Sequence, residues 1–128
     1  MKKFLLFDII VFTFCFNLTA QSRIGYTESQ IRSEFSSKTF TSSTVIDHKV
    51  INWQDEDMSV DYFFDDSGIC KLCFVTPARQ SYLNYMVEKF NKNYVIISDK
   101  KWKMYNNNGI IDIELCFSDG GGYYFVMK

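Results

Sequence analysis

The chain has 128 residues, of which 14 are basic and 15 acidic; 18% are aromatic and one is proline. Near-neutral charge without a basic block excludes the electrostatic footprint of a nucleic-acid binder, and a single proline with no low-complexity stretch excludes a linker-dominated chain. The length is that of one domain behind a short leader.

Met1-Lys2-Lys3 is a basic start, Phe4–Leu18 is almost wholly apolar, and Leu18-Thr19-Ala20 precedes Gln21. This is the pattern of a secretory signal peptide, so residues 1–20 are expected to be removed after Ala20. The alternative is a membrane-tethered N-terminus. It is disfavoured because the run is short for a span of about 20 residues and because Asp8 is costly in mid-bilayer. Phe14 stands before Cys15 where a lipid-anchor signal needs a small residue, which argues against lipidation. Cleavage leaves Gln21–Lys128, 108 residues with 12 basic and 14 acidic side chains, eight Phe, eight Tyr and two Trp. The expected organisation is therefore a signal peptide at 1–20 and one domain at 21–128. It would lie in the periplasm or outside the cell, with no membrane contact after cleavage.

Thr27-Glu28-Ser29-Gln30 has the form of a capping box, and Ile31 and Phe35 follow at i, i+4, which predicts a short helix over about 28–36. Residues 44–53, TVIDHKVINW, are β-branched and aromatic and predict one strand. Met58, Val60, Tyr62 and Phe64 alternate with Ser59, Asp61, Phe63 and Asp65, a half-buried strand. Asp65–Gly68 reads as a hairpin turn. In the next strand, Ile69–Thr76, period-two spacing puts Cys70, Leu72 and Phe74 on one face and Cys73 on the other. Thr76-Pro77 looks like a helix start. Tyr82, Leu83, Met86, Val87 and Phe90 then give an amphipathic helix over about 78–92. YVIISDKKWKMY, 94–105, predicts one strand, bulged near Asp99. Asn106–Gly109 and Ser118–Gly122 read as turns around the alternating strand Ile110–Phe117, and YYFVMK is the last strand.

Both halves thus run helix, strand, strand, strand. The expected fold is α+β: two α-β-β-β units forming a mainly antiparallel sheet of about six strands, with both helices packed on one face. The triplet Leu-Cys-Phe at 72–74 and 115–117 falls in different slots of the two units, so its recurrence is a coincidence of letters.

The stretch Tyr62-Phe63-Phe64-Asp65-Asp66-Ser67-Gly68-Ile69-Cys70, the helix led by Pro77 and Trp102 late in the following strand resemble the many short, uncharacterised secreted proteins of Gram-negative bacteria. The tandem helix-plus-sheet layout is similar to that of the β-lactamase-inhibitor-protein and outer-membrane assembly lipoprotein group. The likeness spans most of residues 24–128 at the level of layout. It implies a binding role, because inhibitors of this architecture engage an enzyme through an exposed, aromatic-rich sheet face. The lipobox cysteine of the lipoproteins is missing here.

The chemistry-bearing residues are few. Cys70-x-x-Cys73 lies in a predicted strand, where i and i+3 point to opposite faces, which counts against a redox or metal pair. Cys73 and Cys116 share a predicted face in a permissive compartment, so either they form a disulfide or three separate thiols remain. Asp55, Asp57, Ser59 and Asp61 imitate calcium-loop spacing, but the central Gly and the bidentate Glu of such a loop are missing. His48 stands alone, without a nucleophile or carboxylate at catalytic spacing. No catalytic residue, metal or cofactor is expected. Trp53, Phe63, Trp102, Tyr105, Tyr123 and Tyr124 are the candidate binding face. The first functional expectation is a non-catalytic module that recognises an unknown protein or envelope component with its open sheet face. The alternative is a small-molecule or lipid carrier whose cavity lies between helices and sheet, lined by Tyr62, Phe64, Phe74, Met86 and Phe90.

Overall fold

A computed structural model describes residues 23–106 and 109–128; the expected leader at 1–20 lies outside them. In chain order the elements are α1 (Glu28–Glu34), β1 (Thr41–Val45), β2 (His48–Gln54), β3 (Met58–Phe64), β4 (Cys70–Pro77), α2 (Gln80–Asn93), β5 (Val95–Ser98), β6 (Lys101–Asn106), β7 (Gly109–Phe117) and β8 (Tyr123–Met127). All strands join one antiparallel sheet in the order β1-β2-β3-β4-β8-β7-β6-β5.

This corrects the expected α+β layout of six strands and two helices on one face. The described residues are mostly sheet, with eight strands and two short helices among them. The error has one cause, made twice: each strand expected to be long is a hairpin. TVIDHKVINW folds back at Ile46-Asp47, whose φ values of 49° and 64° make the left-handed turn that joins β1 to β2. YVIISDKKWKMY folds back between Ser98 and Lys101, where the Ser98 hydroxyl accepts from the Lys100 N–H at 3.3 Å. Neither turn carries the Asn-Gly or Asp-Gly signal that such hairpins favour.

A β-branched residue at positive φ is strained, and Ile46 is also 87% exposed. Ile46→Asn relieves that strain without removing a core contact. It is expected to stabilise the protein by about 0.5–1 kcal/mol, read as a rise in urea midpoint; a fall would show that the turn needs its isoleucine.

Each half is therefore a helix followed by a four-stranded meander, and the two meanders meet where β4 pairs with β8. The halves match in register. Trp53 lies opposite Val60, which lies opposite Val75; Trp102 lies opposite Ile113, which lies opposite Met127. Tyr62 faces Cys73 as Leu115 faces Phe125.

Two further departures matter. Phe63 pairs with Leu72 but Phe64 with Cys70, so Lys71 is the extra residue of a bulge. The bulge restarts the alternation and turns Cys70, Cys73 and Val75 into the core, all fully buried, while Leu72 and Phe74 point the other way. Pro77 closes β4 opposite Met58 instead of opening the helix; α2 starts after Arg79, which supplies no side-chain cap. At α1 the anticipated box is present: Thr27 Oγ1 accepts from the Gln30 N–H at 3.3 Å and Gln30 Oε1 from the Thr27 N–H at 2.9 Å.

One core cluster unites Ile31 of α1 and Leu83, Met86 and Phe90 of α2 with Ile51, Val60, Tyr62, Ile113, Phe125 and other sheet residues. Just before α1, the buried Arg23 guanidinium pairs with Glu34 and lies over the rings of Tyr26 and Phe35 at 5.3 and 5.6 Å.

Candidate functional site

Alternation along the strands assigns each side chain to the core-facing or the far side of the sheet. On the far side a register row crosses six strands: Asn52, Asp61, Phe74, Val126, Glu114 and Lys101. Beside it run Phe63 paired with Leu72, and Tyr124 paired with Cys116. The rings of Phe63 and Phe74 are 4.9 Å apart and those of Phe74 and Tyr124 are 5.7 Å apart, both tilted. Three half-buried aromatic rings on β3, β4 and β8 thus form one strip across the middle of the sheet. Asn52 and Asp61 edge the strip as a fixed polar pair, with Asn52 Nδ2 donating to Asp61 Oδ1 at 2.8 Å and to Ser59 Oγ at 2.9 Å.

The expected binding face divides on this geometry. Phe63 and Tyr124 belong to the strip. Trp53 and Trp102 do not: they are 3% and 1% exposed in the core. Each packs on a phenylalanine at the end of the preceding helix, Phe35 with Trp53 and Phe90 with Trp102, both at 5.5 Å. The Trp53 indole N–H donates to the Tyr62 hydroxyl at 3.0 Å, and that of Trp102 to Asn91 Oδ1 at 2.8 Å. Tyr123 packs half-buried against the core cluster. Tyr105 is exposed at the end of the β6–β7 hairpin, opposite Ile110. Phe74, which joins the strip together, was assigned to the core by unbroken alternation. The only available signal was Lys71, a charged residue between two core cysteines.

The residues expected to line a carrier cavity do not converge on one. Tyr62, Phe64, Met86 and Phe90 are buried core residues, and Phe74 is on the other face. An open cleft of about 420 Å3 instead lies between α2, the turn joining β5 to β6 and the end of β7, lined by Leu83, Asn84, Val87, Asn91, Lys100 and Phe117 among others.

Of the two cysteine readings, the geometry fits three separate thiols and not a Cys73–Cys116 disulfide. None of Cys70, Cys73 and Cys116 is joined in a disulfide, and the bulge sends Cys73 into the core while Cys116 sits half-exposed on the far side. Burial pushes the Cys70 thiol up to about 11 and the Cys73 thiol well above its ordinary value. Both stay protonated and poorly nucleophilic at neutral pH.

The acidic residues of the turns serve as caps. Asp55 Oδ1 accepts from the N–H groups of Asp57 and Met58 at 2.8 and 3.0 Å, and Asp65 Oδ1 from those of Ser67 and Ile69 at 2.9 and 3.0 Å. Among the described residues, no group of three or more His, Cys, Asp or Glu side chains could hold a metal ion, and no helix is long and apolar enough to cross a membrane.

No protein-family model, curated protein or solved structure matches the chain, so its own geometry is the ground for assigning a function.

Proposed function

We propose that the protein is a secreted or periplasmic, non-catalytic binding module that recognises a protein or cell-envelope partner through the far side of its sheet. The observation that carries this reading is the strip Phe63–Phe74–Tyr124, in which the Phe74 ring packs on both of the others, away from the core cluster. Rings held on paired strands lose little freedom on binding, and aromatic anchors supply most of the energy at protein interfaces. The polar residues around the strip, Asn52, Asp61, Glu114 and Lys101, have the composition of an interface rim.

The test is capture from an envelope extract on immobilised protein, read by quantitative mass spectrometry. A Phe74→Ala/Tyr124→Ala double change is expected to reduce recovery of the captured partner at least tenfold while the protein still unfolds cooperatively. Undiminished capture by a folded double variant would remove the strip as the binding surface.

The carrier alternative is favoured by one observation, the cleft beside α2, whose about 420 Å3 falls in the range of small-ligand sites. In that case a lipid or other apolar ligand would raise the melting temperature, and Val87→Arg would abolish the rise.

A further inference from the structure

The outer strands β1 and β5 hold equivalent places at the two ends of the sheet but differ in chemistry. β1 reads Thr-Ser-Ser-Thr-Val, and its Ser42 hydroxyl accepts from Arg32 Nη2 at 3.1 Å. β5 reads Val-Ile-Ile-Ser, and Val95, Ile96 and Ile97 are 48%, 54% and 52% exposed. Among the described residues it pairs with β6 along one side only. From Asn93 to Ser98 there is no charge and no proline. Natural sheet edges are usually blunted by such residues, because an unpaired apolar edge is a template for another strand.

We propose that β5 pairs antiparallel with β5 of a second copy of this chain. Three features select a copy as the occupant. Pairing about Ile96 sets Val95 against Ile97, Ile96 against its own counterpart and Ser98 against Tyr94, so the three apolar residues of the strand meet only apolar partners. The paired segment Val95–Ser98 carries no charged side chain, so no like charges oppose. The strand order also begins with β1 and ends with β5, so a two-fold axis at β5 continues the antiparallel alternation unbroken from one sheet into the next. The edge is only four residues long and its β6 side is irregular at Ile97. The contact is therefore small, in the class of weak, reversible interfaces.

Sedimentation equilibrium of the expressed protein over a wide concentration range tests this pairing. The expected result is a reversible monomer–dimer equilibrium. Ile96→Lys should weaken it at least tenfold, with far-UV circular dichroism and melting temperature unchanged. Ser43→Lys, on the polar edge β1, should leave it intact. Val95→Lys is the second disrupting variant if Ile96→Lys unfolds. A protein that stays monomeric throughout overturns the proposal, as does association that both β5 variants leave intact or that Ser43→Lys abolishes.

Discussion

Trp102→Ala is expected to cost about 3–5 kcal/mol of stability, and Trp53→Ala a similar amount, the range for truncating a large buried aromatic. Trp102 is 1% exposed, packs within 5.5 Å of Phe90 and 6.1 Å of Phe125, and gives its indole N–H to Asn91. Trp53 does the same in the other half, against Phe35 and Tyr62. The two share no ring partner, so their costs should add. The sum approaches the whole stability of a small domain, about 5–15 kcal/mol. Urea unfolding of the single variants should show lowered midpoints with cooperative transitions, and the double variant should show no cooperative transition near room temperature. A double variant that unfolds cooperatively within about 1 kcal/mol of the parent would show that the two indoles do not hold the core. Substituting these tryptophans to seek a lost partner would therefore report unfolding.

Raising the pH from about 9 to 11 is expected to bring the second large loss. Burial holds the Cys70 thiol at about 11 against an ordinary value of 9.0. Between those values the folded state keeps a proton that the unfolded state has released, so unfolding becomes easier as pH rises. The contribution is fully present below pH 9 and is lost as pH climbs through 11. At about 1.4 kcal/mol per unit, it comes to roughly 3 kcal/mol for Cys70 alone. Cys73 and the buried Tyr62 hydroxyl are shifted upward as well, chiefly by burial, and act in the same direction. Urea midpoints measured at pH 8 and at pH 10.5 should separate accordingly, and Cys70→Ala should narrow the gap. A thiol reagent at pH 8 should modify Cys116 while sparing Cys70 and Cys73 until the protein unfolds. Rapid native-state modification of either core cysteine would contradict their burial.

The elements legible in the residues were those with strong local chemistry. The capping box at Thr27, the alternation from Met58 to Phe64 and the apolar stripe Leu83–Met86–Phe90 all correspond to observed elements. So does the Asp65–Gly68 turn, where Gly68 takes a φ of 79°. The missed features depend on tertiary context. A turn at Ile46-Asp47 cannot be read from an isoleucine, because only pairing between β1 and β2 holds it in that conformation. A single extra residue at Lys71 reverses every later face assignment in β4, so unbroken alternation puts Phe74 and Cys73 each on the wrong side of the sheet. Trp53 and Trp102 have a different cause: composition marks them as anchors, and packing makes them core. Of the expected face, Phe63 and Tyr124 were in reach of alternation alone.

The seam between β4 and β8 has a kinetic meaning. Within each half, every strand pairs with its sequence neighbour, so both meanders can form from nearby contacts. The join of Cys73, Phe74 and Val75 to Met127, Val126 and Phe125 draws on opposite halves of the chain. Closing so long a loop is slow, which makes this join the natural last event of folding. Until it forms, the two strands destined for the middle of the sheet stand open as sticky, largely apolar borders. A chaperone that shields nascent chains in the cell would have its greatest effect during that interval.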